Sequence, residues 1–527
     1  MMLGRLVGLC LAALALLPIS PPSAAQPGAG TTLRIIPTAD LTILDPYFGP
    51  YITRNHGYMV YDTLFAMDGQ FRPQPQMVDQ WTVSDDKLTY TFTLRDGLKF
   101  HDGQPVRAAD AVASIKRWGQ RNSTYGQSLL AASGAIEPVT DKVFRIELKT
   151  PFPVLEALAT LGNTPFILPE RLARTDAFTP IKEAIGSGPF KFVKDEWQPG
   201  HKVVYLRNPD YVPREELPNW SSGGKMVKVD RVEWLYIPEA VTAAQAIGAG
   251  EVDFWENPPS DYVPALQRNP DASILAVGSA IGIVRFNHLH APFDNIKMRQ
   301  ALLAVADQRD YMSAMAGDQS DWRTCFSFYA CDGPEYDEHG GEALSGPRDF
   351  EKAKRLIGEA GYHGERIVVL DPADIQRLHM EALVTNDLLQ KLGLNVELAT
   401  TEWGTVVKRL QMREPVEQGG WSVFHTWTAS FDLINPATHS MLRAAGINGT
   451  APGWPTDEKL EALRAEWFAA TDNGKRRQLA DQIQQRAFEF VPYIPTGQFL
   501  TWRAFRKNLS GVLDAPIPFL WNIEKRP

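Results

Sequence analysis

The sequence has no cluster of basic residues. Lysine and arginine total 53 against 62 aspartates and glutamates, which gives a formal net charge of −9 at pH 7. A nucleic-acid-binding surface needs a basic patch or stripe, and no Lys/Arg run provides one. We therefore expect no nucleic-acid partner, and the acidic balance favours solubility.

The short motifs that mark common catalytic sites are also missing. The sequence contains no G-x-S-x-G, P-loop, G-x-G-x-x-G or H-E-x-x-H pattern. Its ten histidines are scattered, and His288 and His290 have no third ligand at a spacing that suits zinc. With 62 carboxylates, a pair that could serve as acid and base occurs by chance. We expect no catalytic residues, no metal and no cofactor.

Long apolar runs are absent except for residues 6–17 near the amino terminus. This run follows a single arginine and is too short to span a bilayer stably. Small residues at 23–25 suit a cleavage site, so the pattern predicts a secretory signal peptide over residues 1–25. Cys10 follows Leu9 rather than a small residue, which disfavours a lipid anchor. The mature chain is therefore expected to be exported.

Cysteine is scarce, with two residues left after that cleavage. Cys325 and Cys331 lie six positions apart in "DWRTCFSFYACDGPEY". Close pairs in exported proteins are typically oxidised, so we predict one disulfide, the alternative being two free thiols. A loop this short makes the bridge worth about 2–3 kcal/mol of unfolding free energy.

Helical and strand patterns alternate along the rest of the chain. "LTYTFTLR" (88–95) alternates apolar and polar residues, which predicts a half-buried strand followed by an Asp-Gly turn. "DFEKAKRLIGEAGY" (349–362) has one apolar helical face and ends at a glycine. A second such helix precedes the strand-like "NVELAT" (395–400), and a third ends at the proline-broken "VPYIPTG" (491–497). These patterns predict an α/β fold.

Residues 81–117 carry the most specific resemblance. Within "QWTVSDDKLTYTFTLRDGLKFHDGQPVRAADAVASIKR" they resemble the signature of extracellular solute-binding proteins of the oligopeptide, dipeptide and nickel type, which serve ABC importers. "GSGPFKF", "AIGAGEVDF" and "VRFNHLHAPFDNIKMRQALLAVADQRD" resemble later parts of the same family, in the same order. The likeness covers most of the mature chain.

The resemblance implies a periplasmic-binding-protein-like α/β fold with two lobes around a ligand cleft and an extra third domain. Domain I would be discontinuous, formed by residues 26–67, 181–283 and 492–527. Domain II would cover 68–180 and domain III 284–491. The lobes would close on the ligand by a hinge motion.

The segment "HTWTASFDLINPAT" (425–438) departs from the family pattern. In peptide-binding relatives a tryptophan, two small residues and then an aspartate occur here, and the aspartate anchors the ligand's α-amino group. Trp427 matches the tryptophan, but Ser430 takes the aspartate position and Asp432 follows two residues later. Burying an amine without an opposite charge is costly. Either Asp432 replaces the anchor, or the ligand is not held as a peptide; Asp432 could also simply cap a turn.

The resemblance also indicates other ligand-binding candidates. Trp403 matches an aromatic residue that lines the cleft in relatives, and Tyr51 and Phe48 follow the first strand, where relatives contact ligand. Asn287 falls at the interlobe crossover, and His425 lies on the strand that leads to Trp427. Trp421, earlier on that strand, is expected in the core.

We therefore predict a periplasmic binding component of an ABC importer that captures a short peptide and delivers it to membrane permease subunits. It would act as a monomer without chemistry of its own. An amino-acid conjugate, an opine-like compound or a metal chelate would be the ligand if Ser430 marks a changed specificity. The remaining alternatives are a ligand-sensing partner of a chemoreceptor and, remotely, a secreted hydrolase.

Overall fold

The computed structural model describes residues 31–48, 51–121, 125–448 and 452–526. The predicted signal peptide, residues 1–25, lies outside the described residues. Within them, no helix combines the length and the apolar character that crossing a bilayer requires.

Helices and strands are mixed along the whole described chain, as the α/β prediction requires. The strands are β1 (Thr32–Ile36), β2 (Phe65–Met67), β3 (Pro73–Pro75), β4 (Val78–Val83), β5 (Thr89–Leu94), β6 (Ser133–Pro138), β7 (Val143–Leu148), β8 (Phe190–Phe192), β9 (Lys202–Arg207), β10 (Arg231–Leu235), β11 (Phe254–Trp255), β12 (Ala272–Phe286), β13 (Trp322–Arg323), β14 (Ile367–Pro372), β15 (Val396–Thr401), β16 (Val423–Ala429), β17 (Tyr493–Arg506), β18 (Leu509–Ser510) and β19 (Glu524–Lys525). The helices are α1 (Tyr51–Val60), α2 (Ala108–Arg121), α3 (Tyr125–Ala132), α4 (Val154–Ala159), α5 (Glu170–Ala173), α6 (Ala240–Ala249), α7 (Val263–Gln267), α8 (Ile296–Leu303), α9 (Gln308–Ala316), α10 (Glu342–Ser345), α11 (Phe350–Ala360), α12 (Gln376–Lys391), α13 (Trp403–Arg409), α14 (Glu458–Ala469) and α15 (Asn473–Phe490).

One large mixed sheet runs through the molecule in the order β15-β14-β16-β12-β17-β11-β1-β10-β9-β8, with β13 paired to β17 beside this path. Its centre is the antiparallel pair of β12 and β17, which are 15 and 14 residues long. These strands join a group built around β1 and β10 to a group built around β14 and β16. The two halves of the sheet therefore share one continuous hydrogen-bonded centre.

A separate antiparallel sheet, in the order β4-β5-β7-β6, is formed by residues between 78 and 148. The alternation over residues 88–95 predicted β5, and its Tyr90, Phe92 and Leu94 are buried as expected. Phe92 stacks on Phe144 of β7, with ring centroids 4.9 Å apart. The core of this sheet thus follows directly from the period-two pattern.

The predicted helices of the second half are confirmed at their ends. α11 starts after Asp349, whose carboxylate accepts a hydrogen bond from the backbone N–H of Lys352, and stops at Gly361 with φ of 74°. Glycine adopts this left-handed conformation without the strain of a side chain. α12 is followed by β15, which pairs in parallel with β14 as an α/β unit.

The proline-containing segment 491–497 follows the end of α15 at Phe490, as predicted, and it has a second role. It begins β17 rather than only breaking the preceding helix, and Pro495 lies opposite Ile283 of β12. The pairing register shifts between Ile281 and Ile283, so the proline sits beside an irregularity in the ladder. Irregular positions of this kind tolerate a residue that has no N–H to donate.

Candidate ligand-binding cleft

Two adjoining cavities share the walls Tyr51, Arg54, Thr426 and Trp427. The first cavity, of about 360 Å³, is also lined by Pro46, Tyr47, Trp118, Arg121, Gly162, Asn163, Thr164, Thr428, Asp432, Thr438, Ser440 and Met441. The second, of about 300 Å³, is also lined by Thr38, Glu256, Asn257, Val277, Ser279, Ala280, Ile375, Leu378, Trp403, Ala429, Phe431, Thr501, Arg503 and Pro516. Together they have the size of a small-molecule site.

The sheet topology explains why these residues meet. Thr38 and Glu256 follow β1 and β11, which are parallel neighbours, so both lie beyond the same edge of the large sheet. Ligand sites of open α/β sheets lie in the crevice beyond the carboxyl ends of strands. The end of β16 supplies Thr426 and Trp427 from the other half of the sheet.

Asp432 lines the first cavity, in a short 3₁₀ helix that follows β16. No described residue donates a hydrogen bond to its carboxylate, and its Oδ1 lies so close to Gly162 that a Cβ there would be 1.8 Å away. Burial raises the pKa of Asp432 to about 7, against the opposing effect of the nearby Arg54 guanidinium. The carboxyl is therefore poorly solvated and has no partner among the described residues.

The turn after Asp432 is capped by a different residue. Asn435 Oδ1 accepts hydrogen bonds from the backbone N–H groups of Ala437 and Thr438, at 2.9 and 3.0 Å. This is the role that a turn-capping Asp432 would have had. The carboxyl of Asp432 therefore remains directed at the first cavity.

Ser430 is buried and lines neither cavity. Its hydroxyl lies 2.7 Å from the hydroxyl of Ser279, which accepts a hydrogen bond from Gln498 Nε2. Gln498 Oε1 in turn accepts from the backbone N–H of Cys331, in the predicted disulfide with Cys325, which the structure contains. The position of the expected amine anchor thus belongs to a polar network behind the cleft wall.

Arg54 and Arg503 line the second cavity, and the sequence did not single them out. Nε and Nη1 of Arg54 are buried without a hydrogen-bond acceptor among the described residues, and so is Nε of Arg503. Arg503 Nη1 donates to the carbonyl of Ala515 at 2.7 Å, and burial lowers the pKa of Arg503 to about 10. Whether a buried arginine is paired depends on tertiary contacts, so no local sequence signal marks these two residues.

Three predicted aromatic residues lie on the cavity walls: Tyr51, Trp403 and Trp427. Phe48 lies behind the wall instead. The guanidinium of Arg121, a wall residue of the first cavity, lies 4.0 Å from the ring centroid of Phe48. Phe48 therefore supports a wall residue through a cation–π contact and lines neither cavity.

Asn287 and His425 are each only 1% exposed and line neither cavity. Asn287 Nδ2 donates to the carbonyl of Trp421, the predicted core tryptophan, which is also 1% exposed. His425 Nε2 lies 2.7 Å from the Thr385 hydroxyl, and burial lowers the pKa of His425 to about 3. Both residues therefore make core contacts in this structure, although Nδ1 of His425 has no hydrogen-bond partner among the described residues.

Among the described residues, one group has ligand atoms close enough for a metal ion: Asp337, His339 and Asp481. A carboxylate oxygen of Asp481 lies 3.0 Å from Nδ1 of His339. The carboxylates of Asp481 and Asp337 raise the pKa of the His339 imidazole. His339 is exposed at the surface. The group is explained by an ion pair without a metal and is separate from the cleft.

A family model, described as "Bacterial extracellular solute-binding proteins, family 5 Middle", matches residues 72–449. The chain is 39% identical over 492 residues to "Probable peptide ABC transporter periplasmic-binding protein y4tO" of Sinorhizobium fredii (strain NBRC 101917 / NGR234), covering 92% of both chains. It is 24% identical over 498 residues to "Glutathione-binding protein GsiB" of Escherichia coli (strain K12), covering 91% of both.

Two solved structures have the same fold at low sequence identity. The binding protein AgaA of A. tumefacien R10, in complex with agropinic acid, superposes with a TM-score of 0.79 at 20% identity, covering 94% of this chain and 99% of AgaA. A dipeptide binding protein of pseudoalteromonas sp. SM9913, in complex with Met-Leu, gives 0.77 at 22% identity, covering 94% and 100%. The fold is thus that of binding proteins with two lobes around a cleft. This chain belongs to the bacterial extracellular solute-binding proteins of family 5.

Proposed function

We propose that this protein captures a short peptide or peptide-like solute in the cleft and delivers it to the membrane permease subunits of an ABC importer. The observation that carries the proposal is one arrangement: Tyr51 and Trp427 are walls common to both cavities, and the unpaired carboxyl of Asp432 faces the first. Aromatic walls cover apolar groups of different shapes. The relative at 39% identity, named as a peptide-binding component of such a transporter, supports the same function.

Asp432 is the proposed anchor for the ligand's amine. A charged hydrogen bond stabilises by about 1.5–3 kcal/mol, whereas a neutral one contributes about 1 kcal/mol. Ser430 cannot take this role in the observed arrangement, because it is buried and its hydroxyl meets Ser279. Asp432 has no competing partner among the described residues, so an ammonium group would be its first.

A non-peptide solute is the second candidate, and the serine at position 430 favours it. Without an aspartate there, the backbone amine of a peptide loses the anchor that the family resemblance implies. The structure of AgaA, similar in fold, was solved with agropinic acid. An amino-acid conjugate or opine-like compound therefore fits the same cleft as a peptide would.

We propose the domain division 26–67, 181–283 and 492–527 for domain I, 68–180 for domain II and 284–491 for domain III. Two boundaries fall in the long central strands, one within β12 and one immediately before β17. Gly162 and Asp432 would then belong to opposite lobes and touch across the first cavity. Closure of the lobes would bring the ligand into contact with both.

We also propose how the chain is exported, where it acts and in which oligomeric state. Residues 1–25 would be removed on export, and the mature protein would act in the periplasm as a monomer. It would use no cofactor, bind no nucleic acid and release its ligand unchanged.

Native mass spectrometry of the mature protein, purified without denaturation, tests this proposal. We expect a bound mass that is released unchanged on unfolding, together with loss of uptake of that compound when the gene is deleted. Restoring uptake with the wild-type gene but not with a Trp427→Ala gene would tie transport to the cleft. Normal uptake in the deletion strain would contradict the importer role.

A further inference from the structure

The charges on the cleft walls are unbalanced. Five charged side chains line the two cavities: Arg54, Arg121, Arg503, Glu256 and Asp432. Glu256 is committed to the protein, because its carboxylate accepts hydrogen bonds from the Thr38 backbone N–H at 2.8 Å and from Asn55 Nδ2 at 2.7 Å. Three positive groups therefore face at most two negative ones, in a protein whose net charge is −9.

The partial protonation of Asp432 increases this imbalance. With its pKa raised to about 7 by burial, the empty cleft carries only about half of that negative charge at neutral pH. The walls of the cleft are therefore positive before any ligand enters.

Arg54 and Arg503 each place a guanidinium nitrogen without an acceptor at the cavity wall, although Arg54 Nη2 donates to Asn55 Oδ1 at 3.2 Å and Arg503 Nη1 to the carbonyl of Ala515 at 2.7 Å. Arg117 forms a buried ion pair with Asp45 at 2.8 Å. Arg299 donates to the backbone carbonyls of Phe293, Asp294, Phe490 and Val491. Among the described residues, no carboxylate lies within 4.0 Å of a nitrogen of Arg54 or Arg503.

Both arginines are at least nine-tenths buried, with 8% and 2% of their surfaces exposed. Burying guanidinium N–H groups without acceptors is costly, so a ligand that accepts from Nε and Nη1 of Arg54 or from Nε of Arg503 stabilises the fold. The Arg54 guanidinium is also held in place, 4.9 Å from the ring centroid of Tyr51 and 5.5 Å from that of Phe431. Planar guanidinium groups fixed in this way suit a carboxylate, which can accept two parallel hydrogen bonds.

We infer that the ligand carries a net negative charge: an acidic peptide or amino-acid conjugate with one more carboxylate than ammonium groups. This inference rests on the proposed function and names its substrate class. The carboxylates of the ligand bind beside Arg54 and Arg503 in the second cavity, and the ammonium group lies against Asp432 in the first. The chain between them passes Tyr51 and Trp427.

Three dipeptide probes of matched size test the inference by calorimetry at pH 7.5: alanyl-glutamate, alanyl-glutamine and alanyl-lysine. Their net charges are negative, zero and positive. We expect alanyl-glutamate to bind at least about 10-fold more tightly than alanyl-glutamine, because the additional contact is charge-assisted. Equal or tighter binding of alanyl-glutamine or alanyl-lysine would overturn the inference while leaving peptide binding intact.

Failure of all three probes would count against peptides and is distinguishable from failure of the charge argument. In that case the compound released from the natively purified protein decides. Retention of that compound on an anion exchanger at pH 7 would support the inference, and its passage through the column would overturn it.

Variants of the two arginines locate the effect. Arg503→Met and Arg54→Met should each reduce the preference for alanyl-glutamate over alanyl-glutamine by about 10-fold. Arg503→Lys, which keeps the positive charge, should retain most of the preference and also serves if the methionine variant does not fold. Thermal unfolding of every variant checks the fold. An unchanged preference in folded Met variants of both positions would overturn the inference.

Discussion

The two cavities of the cleft differ in the groups that each leaves without a hydrogen-bond partner, although they share Tyr51, Arg54, Thr426 and Trp427. The first has a carboxyl, Asp432, that no described residue hydrogen-bonds. The second has arginine nitrogens without acceptors and apolar walls that include Val277, Ile375 and Leu378. Arg121 also lines the first cavity, so a ligand lying across the shared wall would meet an unpaired carboxyl at one end only, and the Arg503 guanidinium with apolar walls at the other.

The unpaired charged groups of the two cavities can orient a ligand with few specific contacts. Unpaired buried charges cost free energy in the empty protein, and they become favourable only when a group of opposite charge arrives. The aromatic residues between them supply affinity that depends little on the chemistry of the ligand. Orientation and affinity are thus assigned to different residues, and substitutions can separate them.

The largest expected effect comes from the shared wall. Trp427→Ala removes one face of contact from both cavities and should weaken ligand binding by about 2 kcal/mol or more, roughly 30-fold. Trp421→Ala is the matched control, because Trp421 is 1% exposed in the core. It should instead lower the free energy of unfolding by about 3–5 kcal/mol. Calorimetry and denaturant unfolding measure the two effects. Equal affinity in Trp427→Ala would remove this wall from the site.

The next effect distinguishes the first cavity from the second. Asp432→Asn keeps the shape of the side chain but removes its charge, and should weaken binding of an amine-bearing ligand by about 1–2 kcal/mol, roughly 5- to 30-fold. Asp387→Asn is the control, since Asp387 is 56% exposed and pairs with Lys391 outside both cavities. Titration calorimetry with one defined ligand measures both. Identical affinities for the two variants would exclude Asp432 as the amine anchor.

The pH dependence of ligand binding should arise from Asp432 in the first cavity. Asp432 must be ionised to bind an ammonium group, and its pKa in the empty protein is about 7. Lowering the pH from 7 to 6, where the ammonium group of the ligand stays protonated, should therefore weaken binding by about fivefold. Of the groups that interact with Asp432, Tyr51 and Tyr58 have their pKa raised by burial to about 12 and do not titrate in this range.

Asp432→Asn is the test of this assignment. The variant should bind with the same affinity at pH 6 and at pH 7. A pH dependence that persists in the variant would place the titrating group elsewhere.

The smallest effect on affinity should come from the disulfide behind the cleft wall. Replacing Cys325 and Cys331 together with serine should lower the free energy of unfolding by about 2–3 kcal/mol, because the bridge closes a short loop. Ligand affinity should change by less than about threefold, since Gln498, Ser279 and Ser430 remain hydrogen-bonded to one another. A larger loss of affinity would show that the bridge positions the wall itself.

The regular elements of the fold were predictable because they depend on local periodicity. The alternation over residues 88–95 indicated β5, and the apolar face with its glycine stop indicated α11. The order of the sheet was not accessible in this way, since it depends on which distant strands pair. Pro495 shows the limit, because a proline is a helix breaker locally and yet lies within β17 beside a register shift.

The cleft was only partly predictable, for a related reason. Trp403, Trp427, Tyr51 and Asp432 lie on its walls; the family pattern indicated the three aromatic residues, and the departure from it at Ser430 indicated Asp432. His425, Asn287, Ser430 and Phe48 have the same polar or aromatic character but face other protein groups. The direction of a side chain, and the lack of an acceptor for Nε of Arg54 and of Arg503, arise from contacts between residues far apart in the chain.

A crystal structure of the protein with the ligand that co-purifies from cells tests the central claim most directly. We predict that the ligand spans both cavities, with its ammonium group within hydrogen-bonding distance of Asp432 and its chain against Trp427. Its carboxylate should lie beside Arg54 and Arg503. A ligand confined to one cavity, or one that leaves Asp432 and both arginines without a partner, would contradict the account.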